Sequence, residues 1–394
     1  MGVLALTKIL KGYSFKRLLI NYRRSCLRIM RATKRYDGSF THPYFSQLTL
    51  QYVESLANCD QVQLLAEADA LVKVPYLDIS AKKWAPLEIS HQNYLSFAPY
   101  YWQECNDNPL KKSSIKAVYR DGRANPFLAA RSDKPKLAQM CARIHLLTLA
   151  TIKHNNPKYL EYIGKQLSIW FIDEQTRMFP QMKYAQIIPW SGAQTGFGII
   201  DSRWLILLLD ALAMLTHHTD FQVDDTISRW FNDFAIWILT STSGLNEIMR
   251  ENNRGSWVDV LLCYIGLALN KPEMANVIIN QTFSNRTKKQ VDEFGFQPYE
   301  LKRFNPISYS LYNMYPLYYL NCISRFTNDQ FMSNAHIDRL QRIENDLLKY
   351  IKGSEKGKIE HINFNSSFGL NLYYPYSHAQ LKNFPCVLPF TDFH

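Results

Sequence analysis

The chain has 394 residues, of which 47% are hydrophobic, 20% charged and 14% aromatic. That supplies a large core in one or two domains and excludes disorder, collagen or coiled coil as a description of the whole. The formal charge of +11 suggests a polyanion binder until it is located: residues 1–36 hold ten Lys or Arg and no acid, which leaves 35 bases against 34 acids beyond them.

The body is therefore nearly neutral and the basicity belongs to an N-terminal arm. No nucleic-acid reader motif accompanies the arm, so nucleic acid is not an expected partner. Seven cysteines are scattered without a CxxC pair, which predicts free, buried thiols rather than a disulfide framework or a thiolate zinc site. No apolar run approaches the roughly 20 residues of a spanning helix; the longest, Trp204–Leu209, stops at Asp210. The first 25 residues lack a secretory layout, so no signal peptide is expected.

In chain order, residues 4–31 come first, with Leu18, Leu19, Tyr22, Cys26, Leu27, Ile29 and Met30 at helical spacing and arginines on the other side. Such a helix docks on the body or lies on an anionic membrane surface. The expected division is a basic amphipathic arm over 1–36 and a single domain over 37–394. Residues 75–132 follow, punctuated by five prolines and crowded with aromatics from Tyr94 to Trp102; they predict long irregular loops forming a lid or binding rim.

From about residue 134 the pattern is helical. Stripes run over Lys136–Lys153, Pro157–Ile172, Ser202–His217, Asp224–Thr240, Ser256–Leu269, Pro272–Lys288 and Asn334–Lys352. Leu167–Asp173 echoes Ile227–Asp233 sixty positions later, a spacing that suits a repeated two-helix hairpin. Strand alternation shows only weakly, over Ile359–Tyr374. The expected fold is all-α: helical hairpins closed into an (α/α) toroid or incomplete barrel, with irregular loops at one rim.

Common catalytic signatures are missing. There is no phosphate cradle, no GxSxG and no HExxH, and the adjacent His217 and His218 cannot chelate together. No metal or cofactor is expected. Polar residues instead cluster in three blocks between helices: Lys183–Asp201, Glu247–Asp259 and Gln297–Asn313. On spacing alone, Asn252-Asn253-Arg254-Gly255-Ser256 reads as a helix boundary capped by Ser256. Arg303 and Tyr309 read equally well as a surface base and a half-buried ring. Taken together, amide, guanidinium and phenol without a nucleophile or metal are the groups needed to handle a uronic acid.

At these blocks the chain resembles the alginate lyase family of helical-toroid polysaccharide lyases. The matches run in order over residues 90–325: Asn93–Trp102, Arg120-Asp121-Gly122, Asn125-Pro126, Trp170-Phe171, Tyr184-Ala185-Gln186, Gly198–Asp201, Asn252–Asp259, Gln297-Pro298-x-Glu300-Leu301-x-Arg303 and Tyr309-Ser310. Arg254 stands where the family usually has His. The resemblance implies β-elimination at a uronic acid. Tyr309 serves as base and acid, Arg303 favours its phenolate, and Asn253 with Arg254 neutralises the substrate carboxylate.

Asn252, Tyr184, Gln186, Trp190, Tyr100, Trp102, Trp257 and Glu300 are then expected to bind substrate, an anionic polysaccharide. Asp201 and Asp259 are expected to brace helices. Family members are mostly periplasmic or secreted. Two alternatives accompany this reading: a catalytically altered, glycan-binding relative, and a toroid glycoside hydrolase using a pair from Glu251, Asp259 and Glu300.

Overall fold

The computed structural model describes residues 20–32, 40–56, 61–82, 89–104, 116–190, 196–292 and 294–326. The helix predicted at 334–352 and the alternation at 359–374 lie outside them. Helix α1 (20–32) places Tyr22, Cys26 and Met30 on one face, and all three are buried in the main core. Arg23 Nε donates to Leu239 O at 2.7 Å, and the buried Lys271 Nζ donates to Met30 O at 2.9 Å. The apolar stripe thus packs on the body of the protein.

Helices α2 (Pro43–Leu56) and α3 (Gln61–Leu71) follow. The stretch read as irregular contains order: β1 (Leu95–Phe97), β2 (Tyr101–Glu104), β3 (Lys116–Tyr119) and the single turn α4 (Pro126–Ala129). β2 and β3 form an antiparallel ribbon, Tyr101 opposite Tyr119, and β1 pairs in parallel with β4 (Tyr184–Ile187). The expectation that strands occur only near the C-terminus is corrected: these strands are three or four residues long, too short for a period-2 pattern to register.

The predicted helices α5 (Lys134–Lys153), α6 (Pro157–Leu167), α7 (Trp204–His218), α8 (Asp225–Thr240), α10 (Asn253–Ala268) and α11 (Pro272–Gln281) are present. Asn156 and Asp224 cap α6 and α8 by accepting from the backbone two residues on, and Pro157 and Pro272 occupy first turns where no donor is lost. α6 and α11 each run into a π turn, Ser168–Ile172 and Thr282–Arg286, and a 3₁₀ turn, Gly198–Arg203, enters α7. The short α9 (Thr242–Ile248), α12 (Thr287–Gln290) and the long α13 (Pro306–Ser324) complete the described set.

The echoed segments meet: the Phe171 ring lies 4.9 Å from Trp230 and 5.9 Å from Phe231. Cys26, Cys141, Cys263 and Cys322 are free and buried. Among the described residues no helix is long and apolar enough to cross a membrane.

Candidate active site

Two turns build the site, one ahead of α10 and one ahead of α13. Asn252, not Ser256, caps α10, accepting from Arg254 N at 3.3 Å. Ser256 lies inside the helix and donates to Asn313 Oδ1 at 2.8 Å. Arg286 pins the turn from below. It pairs with buried Asp259 (Nε–Oδ2 2.6 Å) and donates to Ile248 O at 2.8 Å and to Arg250 O. Gly255 is required here, because a Cβ would collide with Arg250 O and the Arg286 guanidinium.

The second turn is stitched to the first. Gln297 Nε2 donates to Ser310 O at 3.0 Å and its Oε1 accepts from Asn313 at 2.8 Å. Glu300, 1% exposed, receives both Asn253 N at 2.7 Å and Asn253 Nδ2 at 3.0 and 2.9 Å. Burial pushes the Glu300 carboxyl up, opposed by the Asn253 donors and by Arg303. Glu300 is therefore a brace, which corrects its expected place in substrate binding.

Tyr309 and Arg303 are brought together as expected. The Arg303 guanidinium lies over the Tyr309 ring, 3.7 Å from its centroid, and the Tyr309 hydroxyl shares a 2.7 Å hydrogen bond with the Tyr100 hydroxyl. Asp121 fixes Arg303 through Nε (3.0 Å) and Nη2 (2.7 Å), and it also accepts from Phe304 N and the Tyr119 hydroxyl. Partial burial opposes ionisation of Asp121, yet the Arg303 fork and the Phe304 amide hold its carboxyl down to about 2.

The electrostatic expectation for Tyr309 needs correction. Arg303 does lower its pKa, but burial is the larger effect and Tyr100 adds to it, so the phenol is raised and neutral at rest.

Asn253 and Arg254 are committed elsewhere. The Asn253 amide serves Glu300. Arg254 forks onto the buried Glu247, Nε to Oε2 at 3.0 Å and Nη2 to Oε1, while its guanidinium sits 4.2 Å from the centre of the Phe197 ring. The Asn253 amide is thus spent on Glu300, and the Nε–Nη2 fork of Arg254 is spent on Glu247, so neither is aimed at a substrate carboxylate as expected.

The aromatic set divides. Trp257 is in the core against Tyr312 and Tyr319 because α10 is buried all round; it is not on a cleft wall. Tyr184, Gln186, Tyr100 and Trp102 are half-buried and Trp190 is exposed. Gln186 (φ 47°) and Trp190 (φ 64°) adopt the left-handed conformation, unusual for such side chains and enriched at functional sites. Gln186 Nε2 donates to Asp201 at 2.9 Å, and Tyr94 and Ser96 donate to the same carboxylate, so Asp201 braces the rim.

Sequence reasoning gave no role to Asp121, Glu247, Phe197 or Tyr119. Asp121 sits inside a matched motif with Tyr119 just before it, Glu247 and Phe197 lie within the polar blocks, and no pattern ties Asp121 to Arg303 or Phe197 to Arg254. The hydrolase alternative loses its acids: Asp259 and Glu300 are buried in internal contacts and Glu251 binds Lys289 and Tyr299. Among the described residues no group of three or more His, Cys, Asp or Glu could hold a metal.

The comparisons with known proteins define the class of this helical array, a polysaccharide lyase of the (α/α) toroid class. The alginate lyase family model matches residues 78–356, well over half of the chain. Among solved structures, an alginate lyase from Bacteroides ovatus aligns with a TM-score of 0.68 at 24% identity, covering 80% of this chain and 84% of that one. Alginate lyase A1-III from Sphingomonas species A1 aligns at 0.42 and 13% identity, covering 74% and 78%. A variant of alginate lyase A1-III complexed with tetrasaccharide aligns at 0.43 and 14%, covering 77% and 80%. No curated protein sequence matches. The chain belongs to the alginate lyase family.

Proposed function

We propose that this lyase cleaves a uronic-acid-containing polysaccharide by β-elimination, with Tyr309 as base and acid. The Tyr309 phenolate oxygen takes the proton from C5, the C–H electron pair forms the C4=C5 double bond, and the C4–O bond breaks. The same phenol returns its proton to the leaving oxygen, so water is not consumed and the new end is unsaturated. The difficulty is that the neighbouring carboxylate resists further negative charge at C5, and a cation there lowers the barrier.

Arg303 carries that role in this reading. Its Nε and Nη2 are held by Asp121, its Nη1 makes no hydrogen bond among the described residues, and its side chain is 22% exposed. The single observation that carries the proposal is the stacking of this guanidinium on the Tyr309 ring, with the hydroxyl tied to Tyr100. Asn253 and Arg254 then act by holding the turn: Asn253 through Glu300, Arg254 through Glu247. Half-buried Tyr184 and exposed Trp190 supply faces on which sugar rings stack.

The test is ultraviolet absorbance of unsaturated uronyl ends during incubation with polymannuronate, polyguluronate and glucuronate-containing polymers. Wild type should produce the signal on at least one, and Tyr309→Phe should lower kcat by about 10³-fold. Cleavage that releases only saturated ends would contradict the proposal.

A further inference from the structure

We propose that Arg250, racked with Arg254 against Phe197, is a second carboxylate-binding point for the acidic polymer, built from residues other than the Tyr309–Arg303 pair. The inference rests on the polyuronate reading and deepens it.

Two guanidinium groups lie against one ring: Arg254 at 4.2 Å and Arg250 at 4.8 Å from the Phe197 centroid. A single carboxylate, Glu247, serves them, and Arg254 takes both of its oxygens. The Arg250 guanidinium makes no hydrogen bond or ion pair among the described residues, and its Nε is buried without a partner. One positive charge is therefore left over on a half-exposed side chain. Partial burial and, after it, repulsion from Arg254 act against that charge, and an anion docking on it would relieve the imbalance.

The rack is rigid on both sides. Gly196 adopts φ +65°, and Gly198 lies flush on Ala185, where any Cβ would overlap the Ala185 side chain and backbone. The backbone that carries Phe197 is thus held against β4 at Ala185, the residue between Tyr184 and Gln186, two side chains expected to meet sugar. On the other side, Arg250 O accepts from Arg286, itself paired with Asp259. A planar guanidinium held by its ring face presents its edge donors to a planar carboxylate, a geometry a lysine does not reproduce.

The chemical class this selects is a sugar carboxylate, and a polymer with one acid per residue places a second acid beyond the one undergoing elimination. Arg250 would then distinguish a polyuronate from a chain with isolated uronic acids.

The experiment is calorimetric titration of the full chain, in a Tyr309→Phe background so that ligand survives, with a hexauronate prepared from alginate and with its carboxyl-reduced, neutral counterpart. Arg250→Gln should weaken hexauronate binding about ten-fold or more and leave the neutral oligomer unaffected. Arg250→Lys, which keeps the charge and loses the fork, should fall between, with thermal melting confirming that both variants fold. Equal hexauronate affinity with and without Arg250, or an equal loss for the neutral oligomer, overturns the site.

The lyase reading is judged separately, on wild-type product. Unsaturated ends with no Arg250 effect remove the site and keep the lyase. An Arg250 effect without unsaturated ends keeps the site and removes the elimination. No binding of either oligomer by the parent overturns the site whatever the product.

Discussion

Tyr309 is neutral at rest because burial and Tyr100 outweigh the Arg303 cation, and this sets the pH dependence. Below a raised pKa the phenolate fraction grows about ten-fold per pH unit. kcat/KM should therefore climb from neutral into alkaline pH without a plateau near neutrality; a flat profile over pH 7–9 would show that Tyr309 is not the base. Arg303→Lys removes both the ring stacking and the Asp121 fork, and should reduce kcat by about 10²-fold in steady-state assays while KM changes less. The Arg303–Asp121 pair itself is insensitive to mild acid. The folded pKa of Asp121 is depressed to about 2, so its contribution is present above its ordinary value near 3.8 and is lost only as pH falls towards 2.

At this scale the sequence was informative about identity and silent about commitment. Tyr309, Arg303 and Tyr100 were legible from ordered motifs. That Arg254 is forked by Glu247, and Asn253 held by Glu300, was not: Glu247 faces Arg254 across the turn between α9 and α10, Glu300 lies in another segment, and no spacing rule connects either pair.

Among the elements, the helices that carry an apolar stripe beside a polar face, such as α6 and α8, were readable. α13 was not, since it is buried on several sides and carries Pro316 inside it, leaving no stripe to detect. α10 was readable only from about its second turn, because its first residues carry the motif rather than the pattern. The turns between elements carry the largest local consequences. Asp259→Asn leaves Arg286 as a buried, poorly paired cation beneath the 248–255 turn. It should cost about 3–5 kcal/mol by chemical denaturation and reduce activity as well, since the turn loses its pin. Gly198→Ala forces the 3₁₀ turn off Ala185 and should cost at least about 1–3 kcal/mol, with weaker substrate binding as Phe197 and Gln186 shift.

For the molecule as a whole, the +11 charge was misleading until divided along the chain, and the stripe of Tyr22, Cys26 and Met30 correctly indicated a helix with one face to bury. Its docking against Leu239 and Lys271 makes this segment part of the same core as α7 and α10. Met30→Ala should accordingly lower stability by about 2–5 kcal/mol in denaturant titration, as for any buried core side chain, and a surface-like change under 0.5 kcal/mol would contradict the docking.

The claim on which the rest depends is elimination by the Tyr309–Arg303 pair. Its most direct measurement is the ultraviolet progress curve of wild type and Tyr309→Phe on the polyuronate that wild type cleaves. The account predicts a rise from unsaturated ends in wild type and about a thousand-fold slower rise in the correctly folded variant. Equal rates in the two proteins would contradict it.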